Sequence, residues 1–214
     1  MLMETEILSP AEIEKESFAI IAKELGDRVL EPEQAPIIQR VIHTTADFDY
    51  VDNLYFSPDA VGHAKAAICG GAAIVTDTQM ACSGINKKAA AKFGCEVHCW
   101  MSDEDVAREA KARGVTRAVV SMERAARLDR PTIFAIGNAP TALLRLRELI
   151  DARVLSPKLI IGVPVGFVNV VASKERIIEA AVPCIVARGR KGGSNVAACI
   201  VNALLYMLDD KRGA

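Results

Sequence analysis

Residues 39–50, QRVIHTTADFDY, combine side chains suited to acid–base chemistry. His43 ends an apolar run and lies between Arg40 and two aspartates, Asp47 and Asp49. A histidine of this kind can transfer a proton, bind a metal, or be buried with its hydrogen bonds satisfied. Because Arg40 and His43 are three residues apart, a helix places them on one face, where both can point at one ligand.

A second candidate site is the glycine-rich basic segment RGRKGGSN at residues 188–195. Glycines allow close approach of the backbone to a ligand, and the helix predicted from Ser194 adds free N–H groups, which suit carboxylates or phosphates. The order of a P-loop is absent, because Lys191 precedes the paired glycines. A solvated basic turn is the alternative interpretation. The position after a predicted strand favours anion binding.

The segment CEVHCW does not predict a metal site. On a strand, Cys95 and Cys99 point to one side while Glu96 and His98 point to the other, so the ligands diverge. The chain also lacks a G-x-S-x-G nucleophile elbow, and no cysteine has an obvious base partner. His43 is therefore the main titrating candidate, which favours proton transfer over covalent catalysis.

The elements that must position these residues alternate between short apolar strands and helices. The predicted strands are AAIVTD, CEVHCWM, TIFAIG, PKLIIGV and CIVARG. Continuous apolar runs between helices are typical of a parallel sheet buried on both faces. We therefore predict an α/β sandwich with a five-stranded parallel sheet, in one domain over residues 1–214, preceded by two helices that form an N-terminal arm.

The first helix of this arm has a clear start. Ser9 and Glu12 form a predicted capping box around Pro10, and Gly26 is predicted as a left-handed cap. The inward stripe is predicted to be Ile13, Ile20, Ile21 and Leu25. Ser17 falls on the same stripe. It either bonds a backbone carbonyl, which spacing alone favours, or faces a site.

Ligands of open α/β sheets bind beyond the carboxyl ends of the strands. In this chain small, polar and glycine-rich residues follow the predicted strands. These ends read Thr76-Asp77-Thr78, Met101-Ser102, Gly137-Asn138, GVPVG at 162–166 and the basic segment at 188–194. The sequence thus predicts a binding site at this edge.

Composition limits the function classes. Of 214 residues, 51% are hydrophobic and 25% charged, with a formal net charge of −1, so nucleic-acid and anionic-membrane binding lack their usual electrostatic driving force. No run of about 18 uncharged apolar residues predicts a membrane span. The first residues lack a signal-peptide pattern, and the six cysteines are expected to be thiols, so we predict a cytoplasmic protein.

Four stretches closely resemble signature segments of the precorrin-8X methylmutase family, which includes cobalt-precorrin-8 methylmutases. They are VIHTTADFDY, TDTQMACSGI, GVPVGFVNVVASKE and GRKGGSNVAACIVNALL, and IEKESFAII near the start also fits. The similarity runs over about residues 10–205. Thr44, Thr45 and Ala46 depart from the family's frequent Ala-Thr-Gly, and Ala172 is another local variant. Neither departure touches a candidate catalytic group.

The resemblance implies a flavodoxin-like three-layer fold, a homodimer, and an isomerase of cobalamin biosynthesis without cofactor or protein-bound metal. The family moves a methyl group from C11 to C12 of precorrin-8X or cobalt-precorrin-8, giving hydrogenobyrinate or cobyrinate. His43 is the implied catalytic residue, and Ser17 and Arg40 are implied substrate contacts. The full predicted substrate-binding set is Ser17, Arg40, Thr78, Arg117, Lys191, Gly192 and Ser194.

Two other functions compete with the isomerase. A non-catalytic tetrapyrrole carrier could use the same cleft, since the chain lacks a nucleophile and a metal-ligand set. A small-anion hydrolase could use Asp47, Asp49 and Asp77 as metal ligands. Product binding without substrate conversion would favour the carrier, and a metal requirement would favour the hydrolase.

Overall fold

A computed structural model describes residues 9–209 and contains one six-stranded sheet in the order β1-β6-β5-β4-β2-β3. The strands are β1 (Leu54–Phe56), β2 (Ala73–Thr76), β3 (Glu96–His98), β4 (Thr132–Ile136), β5 (Leu159–Gly162) and β6 (Cys184–Ala187). All neighbouring strands pair in parallel except β1, which pairs antiparallel with β6. The order β3-β2-β4-β5-β6 is that of a flavodoxin-like doubly wound sheet.

Helices connect and flank these strands. They are α1 (Pro10–Leu25), α2 (Ala35–Thr45), α3 (Tyr50–Asn53), α4 (Ala60–Cys69), α5 (Gln79–Gly84), α6 (Lys87–Lys92), α7 (Glu104–Arg113), α8 (Arg117–Ala125), α9 (Pro140–Asp151), α10 (Val170–Ile178) and α11 (Ser194–Tyr206). No helix within residues 9–209 is long and apolar enough to cross a membrane.

The five predicted strands correspond to β2–β6, but the strand count was wrong by one. The short strand β1 was missed because its three residues carry little periodic signal. Its place is fixed by tertiary pairing, in which Leu54 lies opposite Ala187 and Phe56 opposite Ile185. The antiparallel strand extends the sheet at the β6 edge.

The sheet is buried on both faces, as the continuous apolar runs predicted. Alternate strand residues point into two separate cores, so that Ile133 and Ala135 join one core while Phe134 and Ile136 join the other. The first core contains residues of α2, α4, α5, α6 and α11, and we call these helices the α2–α11 layer. The second contains residues of α8, α9 and α10, which together with α7 form the α7–α10 layer.

The prediction of a two-helix arm was wrong for α2. This helix packs on α11 and buries Ile37, Ile38, Val41 and Ile42, so it belongs to the α2–α11 layer. Four apolar residues on one face require such a partner. The helix α1 packs on α2 in turn.

The predicted stripe of α1 is only half correct. Ile21 and Leu25 are buried, whereas Ile13 and Ile20 are 50% and 51% exposed. The two exposed isoleucines are seven residues apart and share a face of the helix beside the buried one. The capping box of Ser9 and Glu12 is confirmed. Gly26 has the expected positive φ of 57°, but its ψ of −130° lies outside the left-handed helical region.

Two serines near helix starts, Ser57 and Ser102, do not act as helix caps. Asp59, not Ser57, precedes α4, because the Ser57 hydroxyl accepts the Cys184 N–H (2.9 Å) from the sheet edge instead. Asp103, not Ser102, precedes α7, and Ser102 accepts a hydrogen bond from Gln79 (3.3 Å). In both cases a tertiary partner takes the hydroxyl that local sequence assigns to the cap.

Candidate functional site

The strand order reverses between β2 and β4, and a buried aspartate joins the two strands there. The carboxylate of Asp77, which is 0% exposed, accepts N–H bonds from Gly137 (2.8 Å), Asn138 (2.8 Å) and Ala139 (2.5 Å). Burial raises the pKa of Asp77, against the opposing effect of these donors. Asp77 thus fixes the two loops at the point where doubly wound proteins bind ligands.

The segment Arg188–Ser194, called the basic loop below, adjoins this point. The Ser194 hydroxyl lies 2.7 Å from the Thr78 hydroxyl, so these two predicted binding residues are brought together. Gly192 has a φ of +154°, and a Cβ atom there would lie 2.1 Å from the Val163 carbonyl oxygen. A side chain at position 192 would therefore disrupt the contact between the basic loop and the loop after β5.

Arg40 and His43 share one face of α2, as their spacing predicted. The Phe18 ring of α1 lies against both, with its centroid 5.2 Å from the Arg40 guanidinium carbon and 5.2 Å from the His43 ring centroid. The His43 and Phe18 planes differ by 25°, and His43 is exposed. Within residues 9–209 no hydrogen bond reaches either His43 nitrogen, so both can meet a ligand.

The Arg40 side chain is held by mixed contacts. Its guanidinium lies 3.0 Å from the Glu14 carboxylate and 5.0 Å from the Tyr206 ring centroid, as well as over Phe18. Cation–π contacts of this kind orient an arginine without using all of its N–H donors.

A cavity of about 300 Å³ opens beside Arg40, between α2, α5 and α11. Its lining combines polar groups with small and apolar ones. The lining residues are Arg40, Thr44, Met80, Gly84, Asn195, Ala198, Cys199, Asn202 and Tyr206. The cavity extends the face of α2 that carries Arg40 and His43 towards the start of α11.

Ser17 adopts the backbone-bonded alternative. Its hydroxyl donates to the Ile13 carbonyl at 2.7 Å. Ser17 precedes Phe18 directly, so it lies at the rim of the Arg40–His43 face, and its role towards a substrate stays a prediction.

Lys191 connects the basic loop to the turn after α2. Its Nζ lies 2.6 Å from carboxylate oxygens of both Asp47 and Asp49. The lysine lowers the pKa of Asp47, and the two carboxylates raise the pKa of Lys191. Asp47 also accepts the Asp49 N–H at 3.0 Å, so it shapes the turn that follows the helix.

These contacts remove the basis of the hydrolase alternative. Asp47 and Asp49 are both paired with the Lys191 ammonium, and Asp77 accepts three backbone N–H groups. Residues 9–209 contain no cluster of three or more histidine, cysteine or acidic side chains that could hold a metal ion.

Arg117 is not brought together with the other predicted residues. It begins α8, in the α7–α10 layer, and donates to the Met101 carbonyl at 3.3 Å. Thr78, Lys191, Gly192 and Ser194 instead lie where α11 begins, and Arg40 and His43 lie on the neighbouring α2.

The faces of the CEVHCW segment diverge as predicted. The Cys95 thiol donates to the Ile68 carbonyl in the core of the α2–α11 layer, whereas the His98 ring stacks on Trp100 with centroids 5.2 Å apart. All six cysteines are free thiols.

Three contributors to the site carry no clear sequence signal. Phe18 joins Arg40 and His43 although it reads as an ordinary core residue. The Cys199 thiol donates to the Arg40 carbonyl (3.2 Å) and accepts from Thr44 (3.1 Å), tying α11 to α2. Lys174 reaches the basic loop from α10. Each acts across a long sequence separation, which periodicity cannot reveal.

The strand order and the two helical layers define a doubly wound α/β protein whose open polar groups lie at the carboxyl edge of its sheet. A family model of precorrin-8X methylmutases matches residues 12–207.

Similar proteins cover nearly the whole chain. The cobalt-precorrin-8 methylmutase of Priestia megaterium is 45% identical over 202 residues, covering 94% of this chain and 90% of that protein. The cobalt-precorrin-8 methylmutase of Salmonella typhimurium is 46% identical over 208 residues, covering 94% and 97%. The solved structure of precorrin-8x methyl mutase from Thermus thermophilus has a TM-score of 0.84 at 40% identity, covering 93% and 98%.

The chain therefore belongs to the precorrin-8X methylmutase family. It is an isomerase of cobalamin biosynthesis that carries out an intramolecular methyl migration.

Proposed function

We propose that this chain moves the methyl group from C11 to C12 of a precorrin-8-type tetrapyrrole, with His43 as the catalytic residue. The observation that carries the assignment is the shared contact of Arg40 and His43 with Phe18, at 5.2 Å each. A cation and a proton carrier on one open face match a substrate that combines ring nitrogens with carboxylate arms.

The methyl migration requires a group that can donate a proton or a hydrogen bond, and it requires no nucleophile or redox group from the protein. During migration the C11–methyl bond breaks as the C12–methyl bond forms, so no atom or electron enters or leaves the substrate. A proton on, or a hydrogen bond to, a ring nitrogen stabilises the electron density that moves through the macrocycle. Acid–base assistance of this kind contributes roughly 10²–10⁴-fold to a rate.

Substrate binding is assigned to the groups around that face. Arg40 meets carboxylate arms, while Thr78, Lys191, Gly192 and Ser194 supply hydroxyl and backbone groups at the start of α11. Ser17 lies next to Phe18 at the rim. Arg117, in the other layer, is assigned to an outlying substrate arm.

Replacing His43 tests the catalytic role. His43→Gln should lower kcat by about 10²-fold or more, and should leave unfolding unchanged because the ring is exposed. The measurement is the absorbance change as precorrin-8X or its cobalt form is converted. His63→Gln is the matched control, since His63 is also exposed, on α4, and lies 3.9 Å from Asp59. Wild-type turnover by His43→Gln contradicts the assignment.

We infer that the substrate carries cobalt. The names of the Priestia and Salmonella relatives, both cobalt-precorrin-8 methylmutases, support this inference. Parallel assays with metal-free and cobalt-bearing substrate should give a higher kcat/KM for the cobalt form. A preference for the metal-free form would contradict it.

We also infer a cytoplasmic homodimer, as the family resemblance implies. The exposed apolar side chains Ile13 and Ile20 on α1 support a covered surface, and six free thiols support a reducing compartment. Light scattering on the purified protein should give twice the mass of one chain. Ile20→Glu should shift it towards the monomer, and a monomeric wild type contradicts the inference.

A further inference from the structure

We propose that Lys174 is a positioning residue that holds the basic loop in its substrate-binding shape. The inference rests on the proposed function, because the basic loop carries Lys191, Gly192 and Ser194. Lys174 lies on α10 and is assigned no contact with the substrate.

The geometry of Lys174 is unusual for a lysine. Its side chain is 0% exposed, and its ammonium donates to the carbonyl oxygens of Gly189 (2.9 Å) and Lys191 (2.8 Å). Within residues 9–209 no carboxylate lies within ion-pair distance of the ammonium. The carbonyl dipoles of the basic loop therefore face the charge directly, and the Glu175 carboxylate stabilises it from a longer distance.

Such an arrangement is a poor way to stabilise a fold. Burying an ammonium without a carboxylate is unfavourable, and an apolar side chain of similar size often serves stability better. Burial lowers the pKa of Lys174 to about 8, which reflects this cost. A role in shaping the loop accounts for a lysine where a methionine would fill the same space.

One of the two carbonyls that Lys174 contacts belongs to Lys191, whose side chain reaches the turn after α2. The Lys191 carbonyl points inward to Lys174, while the Lys191 side chain extends to Asp47 and Asp49, 2.6 Å from each. These aspartates lie in the turn after α2, four and six residues beyond His43. Lys174 thereby fixes where Lys191 sits relative to the catalytic helix.

The basic loop has a second set of contacts that does not involve Lys174. The Gly193 N–H donates to the Val163 carbonyl (2.8 Å), and the Gly166 N–H donates to the Arg190 carbonyl (3.1 Å). Because these bonds tie the loop to the end of β5, loss of Lys174 should loosen the middle of the loop without unfolding the protein.

The test compares Lys174→Met with Lys158→Met in the full-length protein. Lys158 is an exposed lysine before β5, at the opposite end of that strand, and serves as the matched control. Lys174→Met should weaken binding of cobyrinate and raise KM by about tenfold, the equivalent of about 1.4 kcal/mol. The reason is the loss of the two hydrogen bonds that hold the loop carbonyls. The kcat should fall by less than about threefold, because His43 is untouched.

Two further measurements separate positioning from general destabilisation. The thermal midpoint of Lys174→Met should stay close to that of wild type, because removal of a buried charge offsets the loss of the two carbonyl contacts. Amide hydrogen exchange should accelerate in residues 189–193 alone. Lys174→Arg, which keeps the charge and the donors, should recover part of the cobyrinate affinity.

An unchanged cobyrinate affinity and KM in folded Lys174→Met would overturn the proposal. Lys174→Gln, which is too short to hold both carbonyls, provides the same comparison if the methionine variant does not fold. The outcome is distinguishable from failure of the proposed function: a wild type that binds cobyrinate without converting substrate refutes the isomerase assignment, while the binding comparison still tests Lys174.

Discussion

Arg113 and Arg145 in the α7–α10 layer have different partners from Arg40 in the α2–α11 layer. In the α7–α10 layer, Arg113 contacts Glu109 (2.6 Å) and Glu123 (2.5 Å), and Arg145 contacts Glu123 (2.9 Å) and Glu148 (2.6 Å). In the α2–α11 layer, Glu14 is the single described carboxylate within ion-pair distance of Arg40. The Phe18 and Tyr206 rings also lie against that guanidinium.

This difference distinguishes arginines that stabilise helix packing from an arginine that can bind a ligand. A guanidinium surrounded by carboxylates has its charge paired, so it stabilises helix packing and offers little to a ligand. A guanidinium held by rings is oriented but keeps donors for the carboxylate arms of a substrate. The same contrast distinguishes Asp77, saturated by three backbone donors, from His43, whose nitrogens have no partner within residues 9–209.

The largest effect on stability is expected at Asp77, whose buried carboxylate accepts three backbone N–H bonds. Asp77→Ala should lower the free energy of unfolding by about 3 kcal/mol, because three backbone N–H groups lose a buried charged acceptor. Urea denaturation measures the change, with the exposed Asp129→Ala as control. An Asp77 variant as stable as the control would show that these three hydrogen bonds do not contribute to stability.

The next effect tests the open arginine. Arg40→Met keeps the length of the stem but removes the donors, so cobyrinate should bind about tenfold more weakly, the equivalent of about 1.4 kcal/mol. Unfolding should change little, since the methionine can still pack on Phe18 and Tyr206. Binding is followed by absorbance titration.

Arg108→Met supplies the matched control for Arg40. Arg108 is an exposed arginine on α7, in the opposite layer, and its removal should leave cobyrinate affinity unchanged. Equal losses from the two variants would mean that binding follows total positive charge, and the contrast between the layers would fail.

Much of this arrangement was predictable because it is local. Arg40 and His43 meet Phe18 from one face because three residues nearly complete a helical turn. The strands β2–β6 lie where continuous apolar runs predicted them, because burial on both faces removes polar alternation. Four separated stretches, rather than any single motif, carried the resemblance that the family match confirms.

The features that were missed depend on distant partners. The strand β1 forms because residues 54–56 pair with residues 185–187, and neither segment alone indicates that pairing. The exposure of Ile13 and Ile20 depends on which face of α1 packs on α2. Lys174 reads as an ordinary surface lysine until the fold brings residues 189 and 191 over its ammonium. Periodicity identifies an element's inward face but not what will cover it.

The smallest effect concerns the closed network of the α7–α10 layer. Glu123 meets Arg113 and Arg145 at once, and its side chain is 12% exposed. These arginines lower the pKa of Glu123, so its contribution to stability is present at neutral pH and is lost as pH falls through the lowered value. Glu123→Gln should therefore cost about 1 kcal/mol or less at pH 7 and almost nothing in acid. Since this brace lies in the layer opposite Arg40 and His43, kcat/KM should stay at the wild-type value. A loss of turnover without a loss of stability would show that Glu123 or its two arginines take part in substrate binding, contrary to their assignment as structural groups.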